Sequence, residues 1–170
     1  SLELDICGDC GGNVLIEQDC IGVTDENGNY YETIWIDEQH WMKENLKVTK
    51  YSNGENIENF PTGSTGDWQT INYGAYAIYP FDDDDVSIAT CDFDCSEIYG
   101  NLYNWNAVDD DRGVCPIGWH VPTDDEFKEL EMYLGMTPEN ADDTGWRGTN
   151  EGSKLAGNDN LWNGGALVED

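Results

Sequence analysis

Six cysteines, two histidines and several runs of aspartate are the residues whose types and spacing could do chemistry. Cys7-Gly8-Asp9-Cys10 is half of a zinc knuckle, but a structural zinc site wants four ligands, usually as two such pairs, and no second C-x-x-C follows. Disulfides are therefore expected for Cys7, Cys10, Cys20, Cys91, Cys95 and Cys115, with a connectivity that spacing does not select. Cys115 has His120 near it in sequence, but Pro116 follows it, the stretch is apolar, and beyond Arg112 no cation is present to lower its pKa. A disulfide is the better expectation there too. His40 and His120 are far apart, without H-x-x-x-H or H-x-H spacing, and read as packed structural residues. No G-x-S-x-G, P-loop or G-x-G-x-x-G sequence is present.

Carboxylates are so frequent that any pairing for glycoside hydrolysis is unspecific, since that chemistry needs two acids at a defined separation in a cleft. Calcium is the stronger expectation, because hard oxygen donors suit it and extracellular modules use weak sites. The candidate ligands are Asp82, Asp83, Asp84 and Asp85, then Asp92 and Asp94 inside Cys91-Asp-Phe-Asp-Cys95, then Asp109, Asp110 and Asp111. The competing reading of each cluster is plain solvated charge. Trp68, Tyr79, Trp146 and Trp162 lie in loop-like stretches where an exposed ring could stack on a sugar. Against that stands the ordinary role of Trp as a core anchor.

These residues belong to a chain of 170, with 36 Asp+Glu against 7 Lys+Arg and a formal charge of −29. Such a surface repels nucleic acid and anionic lipid, and favours calcium, cationic ligands or basic proteins. With 38% hydrophobic residues, 7 Trp and 9 Tyr, the composition is that of a folded chain rather than an acidic disordered one. No run of apolar residues is long enough to span a membrane, and the N-terminal residues lack the pattern of a signal peptide. An even cysteine count fits an oxidising compartment.

Residues 1–22 read as a Cys/Gly-rich connector and 23–170 as one domain. Asp25–Asn29 is a turn, Tyr30–Ile36 alternates like a strand, and Asp37–Gln39 returns the chain through His40-Trp41-Met42 as a hairpin. Lys47–Tyr51 is expected as a short strand, 52–72 as a long surface loop, and Tyr73–Tyr79 as a buried strand. Ile98, Leu102 and Trp105 at i, i+4 and i+7 predict a helix over about 97–108. Thr123-Asp-Asp-Glu126 is a capping box opening a helix over 123–134, with Phe127, Leu130 and Leu134 buried and Gly135 ending it. After Pro138 the chain reads as loop.

Three ordered blocks carry a resemblance: Tyr31-x-Thr33-x-x-Ile36-x-x-Gln39-x-Trp41-Met42-x-Glu44-Asn45-Leu46; Tyr99-Gly100-x-Leu102-Tyr103-Asn104-Trp105-x-Ala107-Val108; and Cys115-Pro116-x-Gly118-Trp119-His120-Val121-Pro122-Thr123-Asp124-x-Glu126. Together they resemble the Fibrobacter succinogenes major paralogous (FISUMP) domain over roughly 24–135, extending more loosely to 170. The resemblance implies an α+β, C-type-lectin-like fold, related also to the formylglycine-generating enzyme, with two helices on short irregular antiparallel strands. It implies a secreted or cell-surface module, non-enzymatic, binding a protein or glycan ligand in adhesion. Self-association into an appendage or filament is the alternative, and an oxidase- or hydrolase-like enzyme a more remote one. Later blocks typical of such domains are not evident before Asp170, so an incomplete C-terminal part is expected. The acidic stretch 80–97, with Cys91 and Cys95, reads as an insertion.

If calcium neutralises the aspartate clusters, the melting temperature should rise by several degrees in millimolar calcium over chelator. Coincident melts would exclude a structural calcium.

Overall fold

The computed structural model describes residues 22–60, 68, 70–78 and 95–156. The chain divides into two compact units, one comprising Ser1–Ile34 and Met42–Val121, the other Trp35–Trp41 and Pro122–Asp170. The elements are α+β throughout, with small sheets and short helices.

In the first unit, β1 (Gly22–Thr24) pairs antiparallel with β2 (Tyr30–Ile36), Val23 opposite Tyr31. Gly22, assigned above to the connector, is thus the first residue of the sheet. The turn between the strands is organised by the buried Asp25 carboxylate, which accepts from the Asn27 and Asn29 amides, each at 2.9 Å, and from Asn29 Nδ2 at 2.8 Å. The fully buried Tyr31 donates its hydroxyl to Asp25 Oδ2 at 2.7 Å and accepts from Lys47 N at 3.0 Å. Burial, and then the neighbouring Asp25, push the Tyr31 hydroxyl well above its usual pKa. The turn expected over Asp37–Gln39 is shorter, Asp37–Glu38, where Asp37 takes φ +54°, and β3 (Gln39–Met42), of which residues 39–41 belong to the second unit, completes the order β1-β2-β3.

The second sheet sets β4 (Glu58–Asn59) parallel to β5 (Ala75–Ile78), and β5 antiparallel to β6 (Asn101–Tyr103). β5 lies within the strand expected over 73–79 and buries Ala75 and Ala77. The core gathers Val48, Tyr51, Ile57, Ala107 and Val114, with Leu46, Tyr76, Tyr103 and Cys115 packed against it. β4 and the buried Ile57 and Phe60 lie in the stretch read above as surface loop. The strand expected at Lys47–Tyr51 is reduced to one bridge, Lys50 to Asn56. Its polar groups have side-chain partners instead: Lys47 O accepts from Asn101 Nδ2, Val48 O from the Tyr103 hydroxyl, and Thr49 N donates to Asn27 Oδ1.

The helix expected over 97–108 does not form. The chain makes α1 (Cys95–Tyr99), turns at Gly100, enters β6, and only then makes α2 (Trp105–Val108). Gly100 adopts φ +69°, and a Cβ there would stand 2.6 Å from Asn45 Cβ and 2.8 Å from Leu46 O. The Asn101 amide donates to Leu46 O at 2.9 Å and β6 pairs with β5, so long-range pairing overrides the helical period. Ile98, Leu102 and Trp105, spaced as a buried stripe, are all exposed.

The second unit is built on α3 (Asp124–Tyr133), where the capping box of Thr123 and Glu126 is complete. Gly135 (φ +118°) ends it as a Schellman motif: its amide donates to Met132 O and that of Met136 to Glu131 O. Of the expected stripe only Leu130 is fully covered; Phe127 is exposed but meets Trp41 edge-on at 6.1 Å. The stretch read as loop after Pro138 contains α4 (Pro138–Ala141), capped by Thr137 with Pro138 in its first turn, and α5 (Glu151–Lys154).

Gly100→Ala should destabilise by about 2 kcal/mol or more, because backbone strain and overpacking act together. Gly118 has φ +86° with nothing within 4 Å of its missing Cβ, so Gly118→Ala should cost clearly less by denaturant titration.

Candidate ligand-binding site

Helix α3 presents different residues to three surroundings. Leu130 faces inward. Lys128 binds Asp124 at 2.9 Å and Asp142 at 2.8 Å, and Glu131 receives Arg147. Glu129, Met132 and Tyr133, at i, i+3 and i+4, form one wall of a cleft of about 480 Å³ whose other wall is the turn Ile36–Gln39. Gln39 ties turn to helix, its Nε2 donating to Glu126 O at 2.9 Å and to Glu129 Oε2 at 3.1 Å, while Trp41 Nε1 donates to Gln39 Oε1 at 3.2 Å. Beside the turn, Trp35 and His40 stack with ring centroids 4.5 Å apart.

The same unit holds up Trp146, whose side chain is fully exposed. The segment bearing it is pinned. Arg147 Nη2 donates to both oxygens of Glu131, at 3.1 and 2.9 Å, and Glu131 is itself largely shielded, its side chain 12% exposed. Gly145 and Gly148 flank the pair in left-handed backbone, at φ +83° and +81°. A Cβ on Gly148 would stand 2.7 Å from Met136 Cε and 2.6 Å from Glu151 Oε2, so the turn lies against its support. Thr149 N donates to that Glu151 carboxylate at 2.6 Å.

The aspartates expected to bind calcium are only partly described. Asp82, Asp83, Asp84, Asp85, Asp92 and Asp94 lie outside the described residues, as do Cys7, Cys10, Cys20, Cys91, Tyr79 and Trp162. Among the described residues no three His, Cys, Asp or Glu side chains are grouped to hold a metal ion. Asp110 is instead engaged by Arg112, which donates from Nε at 2.8 Å, Nη2 at 2.7 Å and its amide at 3.0 Å. Those bonds hold the Asp110 carboxyl down at about 2. Arg112 also donates to Glu55 Oε2 at 2.7 Å and lies 3.9 Å above the Tyr51 ring.

Trp68 meets Phe60 edge-on at 5.4 Å, a packing role rather than an open platform. Cys95 opens α1 and is disulfide-bonded. Cys115 corrects an expectation: it is a free thiol, packed against Val114 and the other apolar members of the core. The spacing of the sequence carried no signal for the Glu131–Arg147 clamp or for the cleft carboxylates, since both arise from tertiary contact.

A mixed α+β domain of small sheets, short helices and long connections, presenting an aromatic on a pinned turn and, separately, an acidic cleft, is the class defined so far. Residues 34–169 match the model of the Fibrobacter succinogenes major domain, and the chain belongs to that family. No curated protein and no solved structure matches it.

Burial pushes the Cys115 thiol up to about 11. Thiolate is the reactive form, so alkylation at Cys115, followed by peptide mass spectrometry, should be slow at pH 8 and accelerate only toward pH 11. Rapid labelling at pH 8 would contradict that burial.

Proposed function

We propose that this chain is a non-enzymatic, secreted or cell-surface module for adhesion or ligand binding, built on a C-type-lectin-like plan. The observation that carries the reading is Trp146, a large apolar ring fully in solvent on a turn clamped by Arg147 and Glu131. Trp is highly buried on average, so a ring displayed in this way is an unusual use of the residue. Trp has only two side-chain torsions to order on binding, and the clamp limits backbone loss, so a ligand gains contact area at little entropic cost. The indole face suits the C–H face of a sugar ring, with the polar edge left to water.

Other features support the reading without carrying it. The half-buried, poorly ionising Cys115 suits packing rather than covalent catalysis. A charge of −29 and the disulfide-bonded Cys95 suit an oxidising exterior, where calcium is the natural counter-ion for the aspartate runs.

A glycan array, backed by pull-down of surface proteins, should find a ligand whose affinity falls about tenfold or more in Trp146→Ala, with the melting temperature unchanged. Binding indifferent to Trp146 would sink this reading. A protein partner lost with Trp146, and no glycan hit, would decide the ligand class.

A further inference from the structure

We infer that the cleft between the Ile36–Gln39 turn and α3 receives a lysine or arginine side chain of a partner polypeptide. Its volume of about 480 Å³ lies within the range of small-ligand pockets, roughly 300–1,000 Å³. The lining is of two kinds. Ile36, Met132 and Tyr133 offer apolar surface to an aliphatic stem, and Asp37, Glu38 and Glu129 offer carboxylates to a charged head. A cation on a hydrocarbon stem is the ligand that uses both.

The charge in the cleft has no counter-charge within its own unit. The basic residues there are Lys128, Arg147 and Lys154. Lys128 is bound by Asp124 and Asp142, Arg147 by both oxygens of Glu131, and Lys154 donates to Leu134 O at 2.8 Å. None is paired with Asp37, Glu38 or Glu129 among the described residues. A compact metal ion fits less well, because these carboxylates are not among any metal-holding group of the described residues. Three acids lining the cleft together with three apolar side chains match the larger, diffuse charge of an ammonium or guanidinium on its stem. Gln39, bonded to Glu126, Glu129 and Trp41, keeps the walls in place before a ligand arrives, which limits the ordering cost of binding.

The test is an NMR titration of the whole labelled chain with a five-residue peptide, Gly-Gly-Lys-Gly-Gly. Parallel arms use the peptide with Arg, the peptide with the neutral norleucine, and 1,5-diaminopentane. Saturable shifts at amides 36–39 and 129–133 are expected with Lys and Arg peptides, at least tenfold weaker with norleucine and weakened by added salt. Glu38→Gln with Glu129→Gln should weaken binding about tenfold, and Glu38→Lys should abolish it by supplying the cation internally. Overlapping melting curves would show that the variants still fold. Equal binding of norleucine, shifts spread evenly over surface acids, or an unchanged affinity in the variants would overturn the proposal. Tighter binding of the free diamine than of the Lys peptide would overturn its polypeptide source. The readout does not involve Trp146, so loss of either proposal leaves the other standing.

Discussion

The core of the first unit is carried largely by backbone that is neither helix nor sheet, and every buried peptide group there needs a partner. Val48, Tyr51, Ile57 and Val114 are buried outside the named elements. Backbone bonds satisfy the Tyr51 and Ile57 amides, and side chains do much of the rest that a ladder would do elsewhere. Asn104 is the densest case: its Oδ1 accepts from Ala75 N and Ala107 N, and its Nδ2 donates to Tyr73 O. One amide thus joins the start of β5, the end of β6 and the first turn of α2. Asn101 and Tyr103 hold Lys47 O and Val48 O, and Tyr31 holds the Lys47 amide. Each such bond contributes only about 1 kcal/mol net, but an unmet buried group costs about 1–3 kcal/mol, so these polar residues set the path of the chain more than its stability.

That constraint explains which elements the sequence made legible. The helix at Asp124–Tyr133 was readable because its signals are local: Thr123 and Glu126 close the first turn, and Gly135 releases the last. The hairpin was readable because alternation and a two-residue turn are also local. The stretch 97–108 was not, because Ile98, Leu102 and Trp105 keep helical spacing while Gly100 and Asn101 answer to Asn45 and Leu46, about a third of the chain away. Lys47–Tyr51 failed as a strand for a similar reason: the Asn101 and Tyr103 side chains already held the carbonyls of Lys47 and Val48.

The candidate site shows the same division. Trp146 was visible as an aromatic in a loop, but Trp68 looked the same and packs against Phe60. Only the tertiary clamp of Arg147 on Glu131 and the flanking glycines distinguish a displayed ring from an anchoring one. The aspartate run at 109–111 looked uniform, yet Arg112 singles out Asp110. Plain solvated charge, the competing reading of that cluster, therefore does not describe Asp110.

The scarcity of basic residues makes the fold unequal in what it tolerates. Arg112 serves Glu55 and Asp110, and Lys128 serves Asp124 and Asp142. Loss of one of those acids leaves its cation still matched by another. Loss of either cation strands two carboxylates at once in a surface that already repels itself. Mutational drift can thus wander among the acids that share a cation, such as Asp124 and Asp142, while the few lysines and arginines that serve them are the positions at which redundancy runs out.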